Sequence, residues 1–159
     1  MICSALMSIS ILSGLCSDAV PQTLAKNPPS FNAALARTLI NKHRAAHGLR
    51  PVSIDGRLMR AAKVHSKDMS RQGRISHKGS NGSYPKDRAR RAGYNPRLAS
   101  ENVAAGYNNT RAVIRDWKIS RGHNANLLRR GAKHMGMALV YNPKAGKQTY
   151  WTLLMGVPR

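Results

Sequence analysis

Three side chains of this sequence could converge on one piece of chemistry: His77, Glu101 and His123, separated by 24 and 22 residues. Glu101 is the only glutamate of the chain and stands in the run Ser100-Glu101-Asn102-Val103-Ala104; Asp18, Asp55, Asp68, Asp87 and Asp116 complete the six acids. Two imidazoles and one carboxylate are a ligand set for zinc that leaves a coordination position open. Without a metal, the carboxylate can accept a hydrogen bond from an imidazole, orient it and raise its pKa, which makes a general acid or base near neutral pH. The same contacts could simply brace two loops. Separations of this length require three distinct elements to meet.

The other polar residues carry weaker signals. Ser76 and Ser100 adjoin His77 and Glu101, but neighbours on an extended segment point to opposite faces, and no Gly-x-Ser-x-Gly elbow is present. His43 and His65 fall on the apolar faces of their helices and read as hydrogen-bonded core residues. His47 sits at a helix C-terminus, where a cation is favoured. His134 precedes a strand without any spacing signal. Trp117 and Trp151 read as core or cleft wall, and an aromatic content of 5% leaves few stacking platforms for single-stranded nucleic acid.

The elements that must position the trio follow from periodicity. Ala36, Leu39, Ile40, His43 and Ala46 recur at helical spacing between Asn32 and His47, with Gly48 as the stop. Asp55 can cap a second helix to about Gln72, with Leu58, Ala62, His65 and Met69 on one face and Arg57, Arg60, Lys63, Lys67 and Arg71 on the other. The segment after Gly73, ISHKGSNGS, is a loop. A short helix from Tyr84 or Pro85 to Ala92, an extended segment from Glu101 to Gly106, a helix from Thr110 to Ile119 and a turn from His123 to Leu128 come next. Met135–Tyr141 and Thr149–Val157, apolar and β-prone, form a hairpin. The expected fold is α+β, a three-layer α-β-α sandwich with a small antiparallel sheet flanked by helices.

The chain has 159 residues, 42% apolar, enough for one domain with a real core. Its 27 Lys and Arg against six acids give a formal charge of +21, which attracts polyanions over several ångströms at low salt. Residues 1–19, MICSALMSISILSGLCSDA, read as a signal peptide cleaved after Ala19. The alternative is a lipoprotein leader ending before Cys16, although Leu15 is large for that position and the leader lacks a basic start. Both cysteines, Cys3 and Cys16, lie in this stretch, so the domain folds without disulfides. Residues 20–30, with Pro21, Pro28 and Pro29, are a linker, and residues 31–159 are the domain. No second hydrophobic stretch long enough to span a membrane follows.

Taken in order, LINKHRAAHGL, AAKVHSKDM, SHKGSNGSYPKDRARRAGY, ASENVAAGY, VIRDWKISRGHNANLL, HMGMALVY and TYWTLLMG resemble the CAP superfamily of cysteine-rich secretory, antigen 5 and pathogenesis-related proteins, in its bacterial SCP-like form. The resemblance implies an α-β-α sandwich, secretion, and a cleft lined by a His/Glu/Glu/His tetrad that in some members holds a divalent metal. His77, Glu101 and His123 match three tetrad positions, and Ser120 stands where the second glutamate would fall. The trio is therefore the candidate catalytic and metal-ligating set, with zinc or magnesium as the cation it would take. The implied function is a secreted or periplasmic envelope protein, lipid-anchored if Cys16 is acylated. Anionic envelope polymers or lipids are its expected partners; an envelope hydrolase and a nonspecific polyanion or nucleic-acid binder are the alternatives.

Overall fold

A computed structural model describes residues 28–159. The leader, both cysteines and most of the linker lie outside the described residues. Nine elements follow in the order α1 (Ala33–Ala45), β1 (Ser53–Ile54), α2 (Gly56–Gln72), α3 (Pro85–Arg91), β2 (Pro96–Ala105), α4 (Thr110–Ile119), α5 (Arg121–Leu127), β3 (His134–Tyr141) and β4 (Thr149–Pro158). Among the described residues no helix is long and apolar enough to cross a membrane.

The sheet runs β1-β3-β4-β2. β3 and β2 both pair antiparallel with β4, as a hairpin and a returning strand should. The expected antiparallel sheet is thus mixed, because the two-residue β1 joins β3 in parallel. β2 also begins at Pro96, five residues before the extended segment read from sequence, since β4 is long enough to pair with it back to Pro158. Proline is tolerated there because β2 is an edge strand and Pro96 is its first residue.

Side-chain alternation along β4 divides the core into two layers. Trp151, Leu153, Met155 and Val157 pack with Ile40, Val113, Ile114, Trp117 and Leu127 from α1, α4 and α5. Leu154 points the other way and packs with Leu58 and Ala61 of α2, Ala89 of α3 and Tyr94. Helices on both faces of a small sheet make the α-β-α sandwich, an α+β fold.

Local chemistry sets the helix ends. Asp55 accepts from the backbone of Arg57 at 2.8 Å and of Leu58 at 3.4 Å, satisfying donors that open α2. Gly73 ends α2 with φ +66°, a conformation glycine adopts without a Cβ penalty. The hydrogen-bonded ion pair with Arg57, against the opposing effect of burial, holds the Asp55 carboxyl down at about 2. Asp55→Ala is therefore expected to cost about 1 kcal/mol in urea unfolding at neutral pH. Because the folded-state pKa is depressed, that contribution is present above the ordinary 3.8 and fades as pH falls towards 2. Wild type and variant should converge there.

Helix α1 corrects the sequence reading of its face. Ala46 is exposed, while Arg44 is buried, its guanidinium donating to the carbonyls of Arg50 at 3.0 Å, Leu127 at 2.8 Å and Arg129 at 3.2 Å. Those contacts gather the end of α1 and the end of α5.

Candidate functional site

The register of β2 on β4 determines which way each polar residue of the motif faces. Glu101 stands opposite Leu154 and Asn102 opposite Leu153, and side chains directly opposite each other lie on the same face of a sheet. Glu101 therefore enters the α2/α3 layer and Asn102 the α1/α4/α5 layer. Their contacts agree. The Glu101 carboxylate, 1% exposed, meets Arg88 of α3 at 2.5 Å through Oε2 and Nδ1 of His77 at 2.9 Å through Oε1. The Asn102 carboxamide instead donates to the His123 carbonyl at 3.0 Å and accepts from Asn126 at 2.9 Å. Asn126 also donates to the Glu101 carbonyl at 2.9 Å, so α5 is tied to the strand carrying the glutamate.

The loop carrying His77 is held at three points. His65 Nε2 donates to the Ser76 carbonyl at 2.7 Å, and Arg88 donates to the His77 carbonyl at 3.1 Å. Asp68 receives the Ser80 amide at 2.8 Å and the Ser80 hydroxyl at 2.6 Å. Arg88 adds a bond to the Ser83 carbonyl at 2.7 Å. One buried guanidinium thus joins the loop, its far end and the carboxylate.

The structure brings His77 and Glu101 into direct contact and sets His123 on the opposite side of the edge strand, with its ring 6.2 Å from that of Trp117. His123 borders a groove of about 320 Å³ with Ala104, Tyr107, Asp116, Trp117, Ile119 and Ser120. Ser120, the position of the absent second glutamate, is the N-cap of α5. His43 is half-buried and bonded to Asn124 at 2.6 Å, and His65 is fully buried. Both Trp117 and Trp151 are core. Outside the cluster, His47 bonds its own helix end at the His43 carbonyl, and His134 shares a hydrogen bond of 2.9 Å with the Tyr94 hydroxyl.

The histidines differ in charge preference. The hydrogen bond to Glu101 raises the His77 pKa above 6.5, outweighing burial and the repulsion of Arg88. Burial lowers that of His65 despite the attraction of Glu101. Burial also lowers that of His123, and the charge of His77 adds to the effect. The linkage signs are opposite. His77 contributes stability that is complete below its unfolded pKa of about 6.5 and is lost as pH rises through its folded value. His65 and His123 contribute above that pKa and lose it as pH falls. Stability should therefore peak near neutrality, and His77→Gln should flatten only the alkaline side of the profile in urea unfolding from about pH 5 to 9.

The chemistry of the donor set bears on zinc and magnesium. Both carboxylate oxygens of Glu101 already face nitrogen donors, and the one at Oε2 is the permanent cation of Arg88. Among the described residues no group of three or more His, Cys, Asp and Glu draws together as a metal nest. As arranged, the residues do not fit a dication unless Arg88 gives way.

Sequence reasoning missed Arg88 and Asn126. Arg88 lies in the short, arginine-rich α3, and its signal was indirect: a lone glutamate inside an apolar strand demands a cation.

Comparisons with known proteins place this geometry. The profile described as the cysteine-rich secretory protein family (CAP) matches residues 37–155. The uncharacterized protein YkwD of Bacillus subtilis is 31% identical over 102 residues, which are 64% of this chain and 40% of YkwD. An extracellular protein containing a SCP domain from Bacillus anthracis superposes with a TM-score of 0.70 at 28% identity, covering 79% of this chain and 40% of that one. An outer surface protein of Borrelia burgdorferi superposes with a TM-score of 0.69 at 20% identity, covering 79% of this chain and 92% of that one. The chain spans two fifths of the length of both Bacillus relatives.

Proposed function

The chain belongs to the cysteine-rich secretory protein (CAP) family, and on that premise we propose that it works outside the cytoplasm, docking on an anionic polymer or lipid of the cell envelope through its basic surface. An acidic group of that ligand then meets the exposed His77. Export rests on the leader at residues 1–19 and on the likeness to the extracellular Bacillus anthracis protein.

The observation that carries the reading is where the acids go. Asp55 and Asp68 are paired with arginines and bonded to backbone, Asp87 accepts from the Tyr84 amide, Asp116 accepts from the Tyr107 hydroxyl, and Glu101 is held inside the fold. Arg57, Arg60, Lys63, Lys67 and Arg71 meanwhile line the exposed face of α2. A domain that turns its carboxylates to local duties presents an almost purely cationic exterior, to which His77, 55% exposed and with its pKa raised by the hydrogen bond to Glu101, adds.

Binding of purified protein to isolated envelope polymer, lipopolysaccharide, heparin and duplex DNA tests this. Affinity should fall with salt and should weaken about tenfold for the envelope ligand in His77→Ala, the loss of one charge-assisted hydrogen bond. Equal affinity for all four polyanions with no effect of His77→Ala rejects the reading. Calorimetry with zinc and magnesium on the same two proteins separates a metal role, because only a metal site at His77 would give different isotherms.

One observation favours a second reading, a hydrolase. Glu101 holds Nδ1 of His77 and leaves its other ring nitrogen for a general acid or base. Turnover of peptides, peptidoglycan or lipid esters should then fall about 10²–10⁴-fold in His77→Ala. No turnover by wild type removes this reading and leaves the first intact.

A further inference from the structure

At the edge of the sheet opposite β2, a groove of about 560 Å³ opens between the turn after α1 and the loop that leads into β3. Its size falls within the range of about 300–1,000 Å³ typical of small-molecule sites. The fold itself fastens its walls. Arg44 donates to the Arg50 carbonyl on one side and to the Leu127 and Arg129 carbonyls on the other, and the Ser53 amide donates to the Lys133 carbonyl at 2.9 Å.

Charge sets this groove apart. Arg50, Arg130 and Lys133 line it as exposed cations, Arg44 stands behind them, and no carboxylate belongs to its wall. The space between α2 and α3, by contrast, has Asp68 in its wall, and the groove beside His123 has Asp116. Among the described residues none of these four cations takes part in an ion pair.

Arg44 sharpens the imbalance. A buried charge is ordinarily paired, yet this guanidinium, 1% exposed, bonds only to neutral carbonyls, and burial pulls its pKa down. At that exposure it acts on the groove through its field and not by contact, and low-dielectric surroundings screen such a field weakly. An anion held by the exposed cations in front would supply the missing counter-charge.

The same lining bears on the ligand. Two guanidinium forks and an ammonium around one space suit a phosphate monoester, which carries a charge of about −1.5 to −2 where a carboxylate carries a single one. Gly48, Leu49, Pro51 and Ala132 make the rest of the wall small and largely apolar, with room for the carbon skeleton that bears the phosphate. None of the large exposed apolar side chains lines the groove, so nothing there would enter a bilayer beside a lipid headgroup.

We propose that this groove is a binding site for the phosphate monoester of a sugar or small polyol, with Arg50, Arg130 and Lys133 holding the phosphate. The site lies apart from His77 and from the basic face of α2. It rests on the reading above that the ligand is an anionic envelope component, and it names the anionic group and its seat.

Amide NMR of the full chain at constant ionic strength tests it with glucose 6-phosphate and glucuronate, two sugars that differ in the anion they carry. Glucose 6-phosphate should shift the Arg50, Gly131 and Lys133 amides saturably and bind about tenfold more tightly than glucuronate. Arg130→Gln should weaken it about tenfold, whereas Lys63→Gln, the same loss of charge on the exposed face of α2, should leave it unchanged. Both substitutions remove exposed charges, so unchanged melting temperatures should accompany them. Vesicles of phosphatidic acid should bind the two variants equally. Glucuronate equal to glucose 6-phosphate, equal losses in the two variants, or vesicles that discriminate against Arg130→Gln each overturn the proposal. Envelope polymer that still binds while glucose 6-phosphate leaves the groove amides unmoved rejects this site alone and not the envelope reading.

Discussion

Arg88→Met is expected to destabilise the domain by about 3–5 kcal/mol, the cost of breaking a buried ion pair by removing one partner. The Glu101 carboxylate, 1% exposed, would keep the His77 imidazole, which is itself 55% exposed and loses its proton at alkaline pH, and the more distant His65 at 3.7 Å. The Ser83 and His77 carbonyls would also lose their donor. For a domain of this size the melting temperature should fall by roughly 10–20 °C. Arg88→Met with Glu101→Gln should recover a large part of the loss, because a neutral amide needs no buried cation. Unfolding in urea measures both. A cost below about 1 kcal/mol for the single variant would mean that water, not Arg88, solvates the carboxylate.

Gly136→Ala should be comparably severe for a steric reason. A Cβ at Gly136 of β3 would run into the backbone of Leu58 and Met59 in α2, and the backbone of a helix cannot turn aside as a side chain can. The helix lies so close to the strand that the Met59 sulfur accepts from the Met137 amide at 3.2 Å. Overpacking costs about 1–3 kcal/mol when side chains can adjust, and here α2 itself would have to lift, so the loss should reach or exceed that range. Gly156→Ala is the comparison, since the nearest atoms its Cβ would meet belong to the Tyr94 side chain and not to backbone. A smaller loss at Gly136 than at Gly156 would show that α2 yields easily. Lifting α2 would also disturb His65 and Asp68, which fasten the His77 loop.

Much of this arrangement was legible in the sequence where a local rule governs. Asp55 reads as a cap, Leu58, Ala62, His65 and Met69 as one buried face, and the C-terminal apolar runs as a hairpin, because each signal lies within a few residues. The family resemblance named the fold and pointed to Glu101 and His77. What stayed hidden depends on distant pairing. β1 has two residues and no periodicity, and only β3 makes it a strand. Arg44 and Arg88 carry no local signal, yet both are buried because distant carbonyls and one carboxylate receive them. The separation of Glu101 from Asn102 onto opposite faces follows from a register that only β4 sets.

The central claim is that buried Glu101 holds the pKa of the exposed His77 above the ordinary imidazole value, while burial holds those of His65 and His123 below it. Histidine ring NMR through a pH titration, on wild type and Glu101→Gln, tests it most directly. His77 should titrate above 6.5, His65 and His123 below it, and His77 should drop in the variant. A His77 that titrates below His123 in wild type, or that ignores the loss of the carboxylate, would contradict the account.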